Sequence, residues 1–123
     1  MTNDDEQLRD GAGGRGLETP EIANLLAPLP STAAGEVFTG LLDRPGVRIE
    51  RIVSGGQTTP EHQPFVQDAD EWVVVLAGRA AIRLEGLDEV ALEPGDHLLI
   101  PAGTRHWVTR TATPTVWLAI HLG

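Results

Sequence analysis

The chain has 123 residues, enough for one domain that buries roughly two thirds of its unfolded surface. Its formal net charge is −9, with arginine but no lysine, and this acidic excess disfavours nucleic acid and anionic membranes as partners. The chain has no cysteine, which excludes disulfides, thiolate zinc sites and a cysteine nucleophile.

The beginning of the chain differs from the rest. Residues 1–19 are polar and glycine-rich, and we expect a disordered or loosely ordered tail before a single domain over residues 20–123. The tail has no apolar stretch of the kind found in secretion signals, so a cytoplasmic location is expected. Pro20–Leu26 has the pattern of one short helical turn capped by Thr19 and stopped by the prolines that follow.

From Gly35 onward, short apolar runs alternate with turns. Eight such runs at intervals near ten residues, with only one weak helix, predict an all-β antiparallel sandwich or barrel. The alternation along Val47–Ser54 is imperfect, which indicates a β-bulge. The predicted strands are Glu36–Leu42, Val47–Ser54, Trp72–Leu76, Ala80–Glu85, Val90–Leu92, Leu98–Ile100, His106–Thr111 and Thr115–Leu122.

Two residues of metal-ligand type lie where strands begin. Glu71 opens the strand Trp72–Leu76, and His106 opens the next-to-last strand just after a loop that contains Pro101 and Gly103. Lumen-facing positions of a barrel alternate along each strand, so both side chains can face one cavity. A histidine and a carboxylate on rigid strands suit a divalent transition metal, namely Fe, Mn, Ni or Zn.

The spacing of these residues resembles the two motifs of the cupin superfamily. The resemblance extends over about residues 36–122 and is to small, single-domain bacterial cupins. It implies a double-stranded β-helix, or jelly-roll barrel, in which two first-motif histidines, the glutamate and the second-motif histidine hold one divalent ion in the lumen. The matching residues are Gly95, Pro101, Gly103 and His106 in the second motif, with Glu71 and Gly78 in the first.

The first motif departs from the cupin pattern at its histidines. Counting forward from the motif's first glycine places His62 on the first histidine but Pro64 on the second. Counting backward from Glu71 places Phe65 and Gln67 there instead. The backward count is preferred because Glu71 is anchored to a strand, whereas the preceding loop is free to change length. The predicted metal ligands are His106, Glu71 and Gln67, with His62 as a substitute from the loop.

Three further residues are candidates for the substrate pocket. Arg110 stands where the second motif commonly has asparagine. Directed into the lumen it would attract a carboxylate or phosphate, whereas directed outward it is a solvated charge. Trp117 and His121 share one face of the last strand by period-two spacing, and they line the same cavity if His106 points inward.

Three functions are consistent with these residues. The first is a metal-dependent enzyme whose ion orients and polarises a small oxygen-rich substrate. The second is a non-enzymatic barrel with a degraded metal site that binds a small polar ligand. The third is a structural dimer with a vestigial lumen. The expected partners are a small-molecule ligand and, because an open barrel leaves sheet edges to cover, a second copy in a homodimer.

Overall fold

Residues 19–123, the part of the chain that the computed structural model describes, form eight β-strands and no helix. They pair into two antiparallel sheets, one of five strands in the order β1-β2-β8-β3-β6 and one of three strands in the order β5-β4-β7. The predicted all-β architecture is therefore confirmed. The strands are β1 (Val37–Arg44), β2 (Val47–Ser54), β3 (Asp70–Ala77), β4 (Ala80–Leu84), β5 (Val90–Leu92), β6 (His97–Ile100), β7 (His106–Thr111) and β8 (Thr115–Leu122).

The segment before β1 is irregular. The predicted helical turn over Pro20–Leu26 does not form, because the Asn24 side chain accepts a hydrogen bond from the backbone N–H of Leu26 at 2.7 Å. Such a local bond offers the backbone an alternative to the helical pattern. The predicted tail lies outside the described residues except for Thr19. Within residues 19–123, no helix has the length and apolarity that crossing a bilayer requires.

The bulge expected from the Val47–Ser54 pattern lies on the neighbouring strand. Leu41 on β1 has no partner, while Gly40 and Leu42 on either side of it pair with β2. Strand β2 itself pairs with β8 without interruption. Its imperfect alternation arises because Glu50 shares a face with Ile52, so that a charged side chain occupies an inward position.

The core lies between the two sheets. Alternate residues of β3 point inward, so Val73 and Val75 are buried and Glu71 continues the same row toward the strand's beginning. The row therefore carries one carboxylate at the edge of an apolar core. The core cluster consists of Val73, Val75, Ala80, Ile82, Leu92, Ile100, Trp117 and Ala119.

Two turns pack closely at the end of the barrel opposite Glu71. Gly78 joins β3 to β4 at φ +84°, and a Cβ atom there would overlap the carbonyl oxygen of Pro114 and the Cα atom of Thr115. The Thr115 hydroxyl is fully buried and lies 2.9 Å from the carbonyl oxygens of both Arg79 and Ala112. Gly78 is thus required both for its backbone conformation and for the lack of a side chain.

We predict that Gly78→Ala lowers the free energy of unfolding by about 3 kcal/mol, because left-handed strain and a backbone clash add. Gly86→Ala is the matched control, since Gly86 has the same φ of +84° with no atom within 4 Å of the added Cβ. The control should lose only about 1 kcal/mol. Urea unfolding of both variants measures the difference, and equal losses would contradict the role of the close approach.

Candidate functional site

A cavity of about 70 Å³ opens between the two sheets, which is room for an ion with a few waters or for a small ligand. Valine and isoleucine side chains from both sheets form most of its wall. Three aromatic residues, Phe38, Phe65 and Trp117, also line it. The polar lining residues are Glu36, Glu50, Gln67, Glu71 and His106.

Glu71 on β3 and His106 on β7 meet across this cavity. The Nε2 atom of His106 lies 3.7 Å from Oε1 of Glu71, and both side chains are buried. The other ring nitrogen of His106, Nδ1, lies 3.0 Å from the carbonyl oxygen of Thr104. A carbonyl can only accept a hydrogen bond, so Nδ1 carries a proton. The neutral ring then presents the lone pair of Nε2 to the carboxylate.

Nε2 of His106 and Oε1 of Glu71 are placed so that one cation can contact both atoms. Two lone-pair atoms that face each other in a buried site repel unless a proton or a metal ion lies between them. Metal–nitrogen and metal–oxygen bonds together span up to about 4.2 Å, so atoms 3.7 Å apart can both reach one ion. The donation of Nδ1–H to a backbone carbonyl is also the usual outer partner of a metal-binding histidine.

Gln67 lies beside this pair. Its side-chain nitrogen donates to Oε1 of Glu71 at 3.2 Å, and its backbone carbonyl oxygen accepts from the backbone N–H of Gly103 at 2.8 Å. Two residues earlier, Phe65 and His106 exchange backbone hydrogen bonds of 2.9 Å. Phe65 and Gln67, the two residues that the backward count selected, both line the cavity. His62 is exposed in the loop and does not line the cavity.

Behind the cavity wall, His121 pairs with a second carboxylate. Its Nε2 atom lies 3.1 Å from Oε2 of Glu50, whose other oxygen accepts from Arg48 at 3.2 Å. His121 stands opposite Glu71 in the pairing of β3 with β8. Trp117 and His121 on β8 are both predicted to line the cavity. Trp117 does so, whereas His121 is not a lining residue and contacts the wall through its hydrogen bond with Glu50.

Arg110 does not lie in the cavity, which corrects the expectation that it lines the substrate pocket. Its side chain is 65% exposed and pairs with Glu89 at 3.4 Å. The reason is a bulge on β7, where Ala81 pairs with Arg110 but the next residue of β4 pairs with Val108. The extra residue reverses the alternation, so Arg110 leaves the face that His106 occupies.

The charges on the wall make the cavity acidic. Three glutamates line it, and among the described residues no arginine does. Burial raises the pKa of Glu71 above its ordinary value of 4.5, and the negative charge of Glu50 raises it further. The imidazoles of His121 and His106 act in the opposite direction. A bound cation would relieve the repulsion that these carboxylates create.

Sequence reasoning missed Glu36 and Glu50. In the sequence, Glu50 has the pattern of an outward polar residue between Ile49 and Ile52. Its two-residue spacing from Ile52 nevertheless indicates that the two side chains share a face of the strand. Glu36 precedes β1 and belongs to no motif, so its position on the wall depends on a contact between distant segments. Its carboxylate accepts a 2.6 Å hydrogen bond from the hydroxyl of Ser54.

The donors that surround the cavity fit a divalent ion with a reduced ligand set. Between residues 19 and 123, no three histidine, aspartate or glutamate side chains are grouped so that they could hold a metal. His106 and Glu71 are nevertheless placed to share an ion, and the Gln67 side chain, whose amide oxygen is a weaker type of ligand, lies beside Glu71. A set with one imidazole in place of three is expected to bind metal less tightly.

Comparisons with known proteins agree with this fold. A family model for the cupin domain matches residues 48–121. A structure from Ralstonia eutropha JMP134, provisionally assigned as a mannose-6-phosphate isomerase, is 44% identical with a TM-score of 0.80, over 84% of this chain and 98% of that one. A cupin superfamily protein from Desulfitobacterium hafniense DCB-2 is 21% identical with a TM-score of 0.70, over 85% and 93%.

An oxalate oxidase in complex with the substrate analogue glycolate shares the fold as well, at 20% identity and a TM-score of 0.66 over 83% of this chain and 59% of that chain. No curated protein matches the sequence. Two packed antiparallel sheets around a lumen with converging polar side chains define a jelly-roll barrel with an internal site. This chain belongs to the cupin family.

We predict that Glu71→Gln stabilises the metal-free protein at pH 7.5. The pKa of Glu71 in the folded protein lies above its ordinary value of 4.5. The contribution of Glu71 to stability is therefore fully present below pH 4.5 and is lost as the pH rises through the folded pKa. Glutamine keeps the shape without the charge, so its advantage should vanish near pH 4. Thermal unfolding across pH with a chelator present measures this. Glu93→Gln, on the exposed surface, is the control and should track wild type at every pH.

Proposed function

We propose that this protein is a cupin that holds a divalent transition-metal ion in its lumen and uses it to bind and activate a small oxygen-rich molecule. The ligands are His106 and Glu71, completed by Gln67. The observation that carries the proposal is the facing of Nε2 of His106 and Oε1 of Glu71 at 3.7 Å, with the Nδ1 proton already committed to Thr104. When bound, the metal supplies Lewis acidity that polarises an oxygen atom of the ligand.

The remaining groups of the site hold and orient the side chains of His106 and Glu71. Thr104 fixes the tautomer and the rotation of the His106 ring, and Gln67 keeps the Glu71 carboxylate in place by donating to Oε1. The apolar wall limits the access of water and so strengthens each polar interaction inside. Phe65, whose ring centre is 5.7 Å from that of His106, covers the imidazole on the side of the cavity mouth.

The charge of the wall constrains the ligand. The Ralstonia protein is provisionally assigned to a sugar phosphate, and a phosphate group needs arginine, lysine or clustered backbone N–H donors. Glutamates dominate the polar part of this wall, and Arg110 lies outside it. We therefore propose an uncharged or cationic oxygen-rich ligand in preference to a sugar phosphate.

A metal-free binding protein is the second candidate function. It is favoured by the presence of Phe65 and Gln67 at the positions of both first-motif histidines, which leaves His106 as the one imidazole on the wall among the described residues. In that case the cation between His106 and Glu71 is a proton that lies between the two side chains. Metal uptake distinguishes the two functions.

We predict that the purified protein, incubated with Mn²⁺, Fe²⁺, Ni²⁺ or Zn²⁺ and then dialysed, retains about one equivalent of at least one of these metals by elemental analysis. His106→Ala should weaken metal binding about 100-fold or more, because it removes the only imidazole on the wall.

The matched control for that variant is His62→Ala, which also removes one histidine but from the exposed loop. It should bind metal as wild type does. Loss of binding in His62→Ala would mean that the loop histidine completes the site in place of Gln67. Failure of wild type to retain any of the four metals would leave the metal-free function.

We predict that Gln67→His strengthens Zn²⁺ binding about 10- to 100-fold, since it exchanges a neutral amide oxygen for an imidazole at a position already beside Glu71. Isothermal titration calorimetry compares it with wild type and with Gln57→His, a loop glutamine outside the cavity wall. An unchanged affinity in Gln67→His would show that this side chain does not reach the ion.

A further inference from the structure

The cavity has a second polar end at Glu36, whose carboxylate accepts a hydrogen bond from the buried Ser54. Ser54 lies four residues beyond Glu50 on β2, so at 3.3 Å per residue it is about 13 Å farther along the strand. Glu50 stands beside the His121 and Glu71 end, whereas Ser54 and Glu36 lie near the last residues of β2. Glu36 therefore lies toward a different end of the lumen from Glu71 and His106.

The carboxylate of Glu36 lacks the charge compensation that the other two cavity glutamates have. Glu50 pairs with Arg48 and His121, and Glu71 lies beside His106. Within residues 19–123, no arginine or histidine lies within 4.0 Å of the Glu36 carboxylate. A half-buried carboxylate without a cationic neighbour attracts a positively charged group.

The Glu36 carboxylate is held in position by a buried chain of hydrogen bonds. The indole Nε1 of Trp117 donates to the hydroxyl of Ser54 at 3.1 Å, and that hydroxyl donates to Oε2 of Glu36 at 2.6 Å. Ser54 is fully buried and Trp117 is 3% exposed, so both are fixed by packing. The chain uses one oxygen of the carboxylate, and among the described residues Oε1 has no hydrogen-bond partner.

Aromatic rings are concentrated around the same cavity. The whole chain has three tryptophans, two phenylalanines and no tyrosine, and Phe38, Phe65 and Trp117 all line this wall. Phe38 is 52% exposed and Phe65 is 40% exposed, which places parts of both rings at the mouth. Aromatic faces beside a carboxylate are the combination that attracts organic cations, through cation–π and Coulomb interactions together.

We propose that Glu36 is the specificity-determining residue of this cavity and that it selects ligands that carry an organic cation, an ammonium group. The inference rests on the proposed function in that the ligand enters the same lumen. Its ammonium group lies against the carboxylate of Glu36.

The test compares choline with 3,3-dimethylbutan-1-ol, which has the same shape and hydroxyl group but carbon in place of the charged nitrogen. Titrations of the full chain, with and without the metal that it retains, are followed by NMR chemical-shift changes of the tryptophan indole N–H signals. We expect wild type to bind choline at least tenfold more tightly than the neutral alcohol, and the Trp117 signal to shift.

Glu36→Gln should reduce choline affinity about tenfold and leave affinity for the neutral alcohol unchanged. Glu93→Gln removes the same charge from the exposed surface and should bind choline as wild type does. If Glu36→Gln does not fold, Ser54→Ala provides the second variant, because it keeps the carboxylate charge but frees its position. That variant should weaken choline binding less than tenfold, with its preference over the neutral alcohol retained but reduced.

Equal binding of choline and the neutral alcohol to wild type would overturn the proposal, as would unchanged choline binding in folded Glu36→Gln. The absence of choline binding would also overturn it. Metal content is measured on the same samples, so that this failure is distinguishable from failure of the metal site. Glu36→Gln is expected to retain metal, whereas His106→Ala is expected to lose it and still prefer choline.

Discussion

The meeting of His106 and Glu71 across the lumen is the constraint on which the rest of the site depends. Because the carbonyl of Thr104 takes the Nδ1 proton, the imidazole can offer only an acceptor to a carboxylate that is itself an acceptor. The two strands that carry these side chains belong to different sheets, so closing the barrel forces the contact. The fold therefore favours a positive charge, either a proton or a metal ion, between Nε2 of His106 and Oε1 of Glu71.

The three carboxylates of the wall are stabilised in three different ways. Glu50 is paired with Arg48 and His121, and Glu71 lies beside His106. Among the described residues, Glu36 has one partner, the hydroxyl of Ser54, from which it accepts a hydrogen bond. Burial of a charge is expensive unless a partner is present, so the degree of compensation distinguishes structural carboxylates from those available to a ligand. By this criterion Glu50 supports the barrel, while the other two belong to the site.

Much of the fold could be predicted from sequence because strand periodicity and turn residues are local signals. The bounds of β2, β5, β7 and β8 agree with the prediction, and the positions of Gln67, Glu71 and His106 follow from motif spacing. Sequence left the direction of Arg110 open, because the bulge that turns it outward cannot be seen in the pattern of one strand. Glu36 could not be found at all, because only the contact with Ser54, eighteen residues away in sequence, places it.

The loop between β2 and β3 is fastened to β7 along its length. Trp107 Nε1 donates to the carbonyl of Glu61, the backbones of Thr59 and Val108 are bonded, and Phe65 closes the series beside His106. The final attachment, together with the backbone hydrogen bond from Gly103 to Gln67, sets the register of Gln67. Residues gained or lost upstream of Phe65 would therefore alter the rim of the barrel without displacing Gln67, Glu71 and His106. A change in loop length can thus alter which molecules enter the lumen while the side chains at its base keep their positions.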